Sequence, residues 1–357
     1  MSDLSLLRVA GIGEVRAGED LAAVILAGCG YSGITLAPGD VVCVSSKIVS
    51  KSLGLWSGDR AAAISLGTRA VVAVRATPRG ITSIVRAVAG PVMAAAGVDE
   101  SNTGPGGGVL RLPDDPDDQA RRLRRDIAAG SGFAAGSHRP AVVITDTAGR
   151  PWRDGQIDFA LGVAGLRPVD DARGSPDADG RVMDVTVRAL ADEVAAAADL
   201  VKGKVTATPV AVVRGLAALV TAEDGPGAAR LLREPGTDWF GRGDVEAVHA
   251  ALGMSEAAAA TVRAEHGPPP AALPGDPADT LRRAVAVARL ARDGEVTAHI
   301  GDPEHVDGRW RISVAGDPVA VGRALERVIT AAAAERVVLA AEPSGESFVA
   351  ARWQLVC

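Results

Sequence analysis

Hydroxyl and ammonium groups are concentrated at residues 45–51, SSKIVSK, directly after the apolar run Val41–Val44. Side chains of these types at the end of a strand can bind phosphate oxygens, and backbone N–H groups there add further donors. The segment is not a P-loop, because the glycines of that motif are missing. On spacing alone, a solvated turn with ordinary surface lysines is the favoured interpretation.

Oxygen ligands for a metal ion are concentrated at residues 94–103, AAAGVDESNT, where a run of small residues ends in a carboxylate, a hydroxyl and a carboxamide. Hard divalent cations prefer carboxylate, hydroxyl and water oxygens to nitrogen or sulfur. The end of a helix followed by a polar turn would give the same pattern. The segment by itself is therefore a weak indication of a metal site.

A third cluster, residues 145–153 (TDTAGRPWR), follows the apolar run Ala141–Thr145. Asp146 could bind a metal ion, and Arg150 or Arg153 could pair with a phosphate or a substrate carboxylate, since a guanidinium offers two parallel donors to either. An Asp turn with structural arginines is an equally good interpretation.

The fourth cluster is the turn Lys202-Gly203-Lys204, which follows an alanine-rich segment. A glycine between two lysines allows the backbone to approach an anion closely. Lysines at the C-terminus of a helix are also common as compensation for the helix dipole, so this turn alone identifies no site.

The elements that must position these clusters are short helices and strands in mixed order, which predicts an α+β fold. In the first two thirds of the chain the pattern predicts helices at residues 20–27, 119–129 and 182–201 and strands at 41–44, 70–76, 141–145 and 210–213. In the last third it predicts helices at 280–291 and 318–334 and strands at 296–300, 310–314, 336–341 and 348–355. The acidic residues before the second helix, within 113–118, are interpreted as helix caps.

Length and composition limit the class of protein. A chain of 357 residues is long for one domain, and the segment 267–277, GPPPAALPGDP, reads as a linker. We therefore expect a domain at 1–245, a helix and a Pro/Gly-rich linker at 246–277, and a small α+β domain of unknown role at 278–357. The net charge of −6 argues against a general nucleic-acid binder.

The three cysteines are widely spaced and show no CxxC pattern, so we expect neither a disulfide framework nor a zinc site. No window approaches the continuous apolar length of a membrane span, and the N-terminus has no signal-peptide pattern. The sequence therefore predicts a cytoplasmic protein that does not bind membranes.

Taken together, the clusters occur in an ordered series of seven segments: GIGEVRAGEDL, APGDVVCVSSKIVSKSLG, GPVMAAAGVDESNTG, LPDDPDDQARRLR, VVITDTAGRPWRDGQIDFALGVAGL, ADEVAAAADLVKGK and PVAVVRGL. This series resembles the F420-0:gamma-glutamyl ligase family, both its archaeal single-domain form and the N-terminal half of its actinobacterial bifunctional form. The resemblance extends from about Leu7 to Arg242. Residues 278–357 do not resemble the nitroreductase-like domain of the bifunctional form.

The resemblance implies site residues. Asp99, Asp146 and Thr147 correspond to divalent-metal ligands, and Asp99, Asp146 and Lys51 take catalytic roles. Arg150 and Arg153 are candidates for binding the substrate. The positions that correspond to GTP contacts are Ile12, Gly13, Glu14, Val15, Ser46, Lys51, Asn102, Lys202, Gly203 and Lys204. Because Asp99 and Asp146 each follow an apolar run, we expect the two carboxylates to meet in one metal site.

The resemblance also implies a function: a ligase dependent on GTP and on Mg(II) or Mn(II), with K⁺ as a further cation, acting as a homodimer. Its small-molecule substrates would be F420-0, L-glutamate and GTP. The enzyme would add L-glutamate to the phospholactyl carboxylate of F420-0 through an acyl phosphate, with further γ-linked glutamates as an extension. The alternatives are another metal-dependent nucleotide hydrolase or kinase and, in a different class, a nucleotide-sensing scaffold.

Overall fold

The computed structural model describes residues 3–78, 80–104, 106–133, 139–203, 207–234, 237–270, 275–291, 298–343 and 351–356. The chain divides into two compact units. The first comprises Met1–Ala70 and Val85–Thr237, and the second comprises Val71–Ile84 and Asp238–Cys357. The domain boundaries predicted from the sequence, at residues 245 and 277, stay predictions. None of the helices in the described ranges is long and apolar enough to cross a membrane.

Up to residue 237 the structure contains short helices and strands. The helices are α1 (Leu21–Tyr31), α2 (Ser46–Ser52), α3 (Arg60–Gly67), α4 (Pro116–Gly130) and α5 (Leu190–Lys202). The strands are β1 (Ser5–Val9), β2 (Val41–Ser45), β3 (Trp56–Ser57), β4 (Thr68–Thr77), β5 (Gly80–Ala87), β6 (Val92–Ala94), β7 (Val109–Leu110), β8 (Ala141–Arg150), β9 (Arg153–Ala164), β10 (Asp170–Asp171), β11 (Val187–Arg188) and β12 (Val210–Arg214).

A five-stranded mixed sheet forms the centre of the first unit, in the order β1-β12-β2-β8-β9. Strands β2 and β8 are parallel and in register from Val41 opposite Ala141 to Ser45 opposite Thr145, and the other neighbours are antiparallel. Parallel strands carry their carboxyl ends to the same edge of the sheet. The polar residues that follow β2 therefore lie next to those of β8 beyond Thr145.

Strand β2 is apolar throughout because both faces of the sheet are covered. Val42 and Val44 belong to one core cluster with residues of α1 and α4, and Val41 and Cys43 belong to another with residues of α5. All four side chains are completely buried. An apolar run without alternation is typical of a strand that is covered on both faces.

The predicted strands and the first two predicted helices of this unit are confirmed, with β8 extending five residues beyond its predicted end. The capping interpretation is also confirmed: the Asp115 carboxylate accepts a hydrogen bond from the Asp118 backbone N–H, and Pro116 begins α4.

Two predictions here were wrong. Residues 46–52 form the helix α2 and not a solvated turn, because Ile48 and Val49 can then pack into the core. The third predicted helix, 182–201, begins only at Leu190, since the β-branched residues before it form extended structure that pairs with β10.

The second unit has its own core. Besides most of β4 and β5, it contains the elements after residue 237. These are the helices α6 (Asp244–Ala251), α7 (Glu256–His266), α8 (Pro277–Leu290) and α9 (Pro318–Ala334) and the strands β13 (Ala298–Ile300), β14 (Glu304–Val306), β15 (Arg309–Gly316), β16 (Ala340–Pro343) and β17 (Ala351–Val356). The strands form an antiparallel sheet in the order β13-β15-β17-β16, with β14 paired to β15. This agrees with the predicted small α+β domain.

Two details of the second unit differ from the sequence-based elements, and two further stretches are not described. Residues 246–266 belong to two helices where one was expected, because Gly253 interrupts the helical run with a positive φ of 88°. The predicted strand 336–341 begins only at Ala340, since Arg336 adopts a left-handed conformation with φ 62°. Residues 296–297 and 348–350, at the starts of two predicted strands, lie outside the described residues.

Candidate functional site at the ends of β2 and β8

The parallel pairing of β2 and β8 brings together two polar residues that are 100 positions apart in the sequence. Ser46, the first residue of α2, donates a hydrogen bond through its hydroxyl to Oδ1 of Asp146 at 2.8 Å. Ser46 is buried, and the bond lies at the edge of the sheet where β2 ends. This contact joins the first and third clusters of the sequence.

Asp99 reaches the same place from the loop after β6. Its carboxylate pairs with Lys47 of α2, with 2.7 Å between Nζ and Oδ2, and accepts hydrogen bonds from the backbone N–H and the hydroxyl of Ser101 at 2.7 and 2.8 Å. Burial alone would raise the pKa of Asp99, but the bonds from Lys47 and Ser101 lower it below its ordinary value. Asp99 is therefore ionised at neutral pH.

Asp99 and Asp146 line one small cavity, together with Ser46, Lys47 and Ser50. Burial raises the pKa of Asp146 to about 6; the hydrogen bond from Ser46 opposes this shift, and the negative charges of Asp158 and Asp99 add to it. Burial is the main reason that the neutral form of Asp146 is favoured, although Lys47 and Arg111 also line the cavity.

The groups around this cavity are suited to a hard divalent cation. Two carboxylates and a hydroxyl offer oxygen ligands, and a cation would neutralise Asp146. Within the ranges that the structure describes, no group of three His, Cys, Asp or Glu side chains is arranged to hold a metal ion. Asp99 and Asp146 could hold one with further oxygen ligands from a substrate or water.

Lys51, one helical turn after Lys47, has a buried side chain that is only 6 % exposed. It forms an ion pair with Glu14, whose side chain is 46 % exposed. Gly104 borders this pair with φ +104°, and a Cβ atom there would lie 2.6 Å from the Glu14 carboxylate. The backbone conformation favours glycine at this position, and a Cβ atom there would displace the Glu14 carboxylate.

A cleft of about 710 Å³ begins at Glu14 and is also lined by residues 15–17, 56–58, 103–104 and 106–108. The Trp56 indole is held in its wall by a 2.9 Å hydrogen bond from Nε1 to the carbonyl oxygen of Thr103. Clefts of this volume commonly bind small molecules. Since Glu14 also contacts Lys51, the cleft begins next to a buried ammonium group.

Lys202 is buried on α5 and interacts with side chains of the central sheet. Its Nζ donates hydrogen bonds to Asp158 Oδ2 at 2.7 Å and to the Thr145 hydroxyl at 2.6 Å. The Thr147 hydroxyl donates to the other oxygen of Asp158 at 2.5 Å. Burial would raise the pKa of Asp158, but the positive charge of Lys202 and these hydrogen bonds lower it.

The remaining candidate residues lie in several places. Ile12 and Val15 are buried, while Gly13 and Glu14 are exposed. Asn102 is exposed beside Asp99 and Ser101, in a left-handed conformation with φ 51°. Arg150 and Arg153 pair in register at the tip of the β8–β9 hairpin. Gly203 ends α5 with φ 66°, and Lys204 lies outside the described residues.

Sequence reasoning missed Asp158 and assigned no site role to Lys47. Asp158 is the one carboxylate in the otherwise apolar stretch Ile157–Ala164. A single carboxylate in a buried strand indicates that another side chain pairs with it, because an unpaired buried charge is unfavourable. Lys47 gave no such signal, because its partner Asp99 lies on a different segment of the chain.

The α+β fold gathers two carboxylates and two lysines beside the parallel pair β2–β8, and side chains of these types bind metal ions and anions. The F420-0:Gamma-glutamyl ligase family model matches residues 11–215. This range contains the central sheet from β2 to β12 and all the candidate residues named above. The chain belongs to the F420-0:gamma-glutamyl ligase family, and it is an amide-forming ligase.

Archaeal relatives support this assignment. A coenzyme F420:L-glutamate ligase of Halobacterium salinarum is 38 % identical over 229 residues, which cover 58 % of this chain and 85 % of that protein. Ligases of the same name from Haloarcula marismortui and Methanopyrus kandleri are 35 % and 36 % identical, covering 66 % and 64 % of this chain and 95 % and 93 % of those proteins.

Proposed function

We propose that this ligase uses GTP and a divalent metal ion, Mg(II) or Mn(II), to join L-glutamate to the phospholactyl carboxylate of F420-0. The observation that carries the proposal is the cavity at the ends of β2 and β8. Two carboxylates, Asp99 and Asp146, line it, and Lys47 and Lys51 follow on one helix. Phosphoryl transfer requires this combination of metal ligands and positive charge.

The chemistry requires activation of a carboxylate, which is a poor electrophile when ionised. In the proposed reaction, a carboxylate oxygen of F420-0 attacks the γ-phosphorus of GTP, the bond to the β-phosphate oxygen breaks, and GDP leaves. The amine of L-glutamate then attacks the carbonyl carbon of the acyl phosphate, and phosphate leaves as the amine loses a proton. The product is an amide, in agreement with the class of enzyme.

The residues of this chain have separate tasks in this proposal. Asp99 and Asp146 would hold the metal ion, which when bound neutralises phosphate oxygens. The Thr147 hydroxyl, the third ligand that the resemblance implies, instead donates to Asp158 on the opposite face of β8. Lys51 binds the nucleotide phosphate, for which it must exchange Glu14 for the ligand. Positive charge around the two anionic substrates lowers their repulsion and stabilises the transition state.

The nucleotide would extend from Lys51 into the 710 Å³ cleft. Residues 12–15, Ser46, Asn102 and Gly203 are the further candidate contacts, and Arg150 and Arg153 would bind substrate carboxylate or phosphate. Glu14 supports this placement, because it both lines the cleft and contacts Lys51.

The test is a reconstituted reaction with the purified chain, GTP, Mn(II) or Mg(II), L-glutamate and F420-0, with the products identified by mass spectrometry. We expect a product heavier by one glutamyl residue, and further additions would appear as a ladder. Reactions lacking one component, with ATP for GTP, or with the Asp146→Asn variant are the controls. GTP turnover that needs neither glutamate nor F420-0 would favour a nucleotide hydrolase, and absence of turnover with GTP binding would favour a nucleotide-sensing scaffold.

We further propose K⁺ as an activating cation and a homodimer, as the family resemblance implies, and a cytoplasmic location, as the cysteine spacing and the lack of apolar segments predict. Replacing K⁺ by Na⁺ in the same assay tests the first, and light scattering tests the second. The buried free thiols of Cys29 and Cys43 agree with a reducing compartment.

A further inference from the structure

A buried group of polar side chains lies on the face of β8 opposite to Asp146. Side chains alternate between the two faces of a strand, so Thr145 and Thr147 share one face and Asp146, between them, has the other. Both threonine hydroxyls donate to Asp158 on the neighbouring strand β9, from Thr145 to Oδ2 at 3.0 Å and from Thr147 to Oδ1 at 2.5 Å. One carboxylate therefore fixes the residues on both sides of Asp146.

This arrangement requires that Asp158 stay ionised in a buried environment. Lys202 supplies the compensating charge, since its Nζ lies 2.7 Å from Oδ2 and both side chains are only 4 % exposed. Lys202 also donates to the Thr145 hydroxyl, which leaves the Thr145 proton directed to Asp158. Removal of the ammonium group would leave a buried carboxylate without its cation.

We propose that Lys202 and Asp158 are positioning residues that hold Asp146 in its metal-binding orientation from the opposite face of the sheet. Lys202 thus acts through Asp158 and the two threonines, and not by direct contact with the nucleotide. The inference rests on the proposed function, in which Asp146 is a metal ligand. Groups that orient metal ligands through hydrogen bonds typically change metal affinity about 10- to 100-fold when they are replaced.

The alternative is that the buried pair only stabilises the fold, and two double variants separate the roles. The apolar pair Lys202→Met with Asp158→Leu removes both charges and the acceptor for the threonine hydroxyls. The neutral polar pair Lys202→Gln with Asp158→Asn also removes both charges but keeps an acceptor oxygen. Double replacement avoids an unpaired buried charge, so both variants are expected to fold.

The second unit offers a matched control. Arg283 and Glu335 form another buried ion pair, and the Thr280 hydroxyl donates to Glu335 at 3.1 Å. The variant Arg283→Met with Glu335→Leu therefore replaces the same kind of group, a cation, a carboxylate and a threonine contact, where no metal ligand is proposed.

The measurement is the Kd of Mn(II) alone for the full chain, from the free-ion signal in electron paramagnetic resonance, with thermal unfolding as the check on folding. We expect the apolar pair to weaken Mn(II) binding at least tenfold, and the polar pair and the Arg283/Glu335 control to stay within about threefold of wild type. A wild-type Kd in the folded apolar pair would overturn the inference, as would equal weakening in the control.

If the apolar pair does not fold, Thr145→Val takes its place, because it removes one of the two hydroxyls beside Asp146. A wild-type Kd in that variant would also overturn the inference. A wild-type chain that neither binds Mn(II) nor transfers glutamate refutes the proposed function, and the inference with it. A wild type that does both, beside a double variant of unchanged affinity, refutes the positioning role alone.

Discussion

Replacement of Lys51 by Met tests most directly whether the site binds nucleotide phosphate. Methionine keeps most of the aliphatic stem, which is buried, and deletes the charge. The Glu14 side chain left behind is 46 % exposed and stays solvated, so the stability cost should be that of an exposed ion pair, about 0–1 kcal/mol. The folded state should therefore survive.

The effect on catalysis should be larger. A hydrogen bond from an ammonium group to a phosphate oxygen contributes about 1.5–3 kcal/mol. At about 1.4 kcal/mol per factor of ten, its loss should lower kcat/KM for GTP by about 10- to 150-fold. The assay is the steady-state rate of glutamyl transfer at varied GTP, with thermal unfolding as the control for folding.

Two companion variants sharpen the result. Glu14→Gln releases Lys51 from its carboxylate partner, so kcat/KM for GTP should stay unchanged or rise. Lys47→Met deletes the same charge one helical turn earlier and breaks the pair with Asp99, so its effect should appear in the metal dependence. If Lys51→Met keeps wild-type kinetics and Lys47→Met does not, Lys47 is the phosphate-binding lysine; if both are silent, the phosphate assignment is wrong.

Three further predictions concern the carboxyl group of Asp146, the glycine at position 104 and the second unit. Because the pKa of Asp146 is about 6 and a bound metal ion replaces its proton, the affinity for Mn(II) should rise about tenfold per pH unit below pH 6 and level off above pH 6. The Asp146→Asn variant should not show this pH dependence. In the metal-free chain the folded state binds the Asp146 proton more tightly than the unfolded state does. The free energy of unfolding, measured relative to that of Asp146→Asn, should therefore fall by about 2–3 kcal/mol from pH 4 to above pH 6. A rise over this range would contradict the raised pKa of Asp146. Gly104→Ala should lower the free energy of unfolding by about 1–3 kcal/mol in a denaturant titration, because a φ of +104° strains a residue that has a Cβ atom. Gly106→Ala, with open space around it, should stay within about 0.5 kcal/mol of wild type, and equal stability of the two variants would refute the role of this backbone conformation. Truncation after Thr237 keeps the matched range 11–215, including Val71–Ile84 of the second unit, and should preserve glutamyl transfer. A cut at residue 267, where the Pro/Gly-rich segment begins, would leave α7 without its core partners on α8. Loss of transfer from a folded truncated protein would show that residues 238–357 complete the site.

The positions of the main strands and of the polar clusters after them could be read from the sequence because both are local properties. Val41–Val44 and Ala141–Ile144 are apolar in every position, and in each case hydroxyls and charges follow within a few residues. The family could be recognised for the same reason, since seven short segments in order need no knowledge of contacts. The α2 helix was missed because seven residues carry too little helical periodicity to distinguish it from a turn.

The order of the central sheet decided which charges meet, and no local pattern specifies that order. Ser46 and Asp146 meet across 100 residues because β2 and β8 pair in parallel, and Lys202 reaches Asp158 across 44 because α5 packs behind the sheet. The sequence by itself thus determined the elements, the candidate groups and the family. Only the tertiary structure decided that Lys51 pairs with Glu14, Lys47 with Asp99 and Lys202 with Asp158, since partners distant along the chain are chosen by packing and not by spacing.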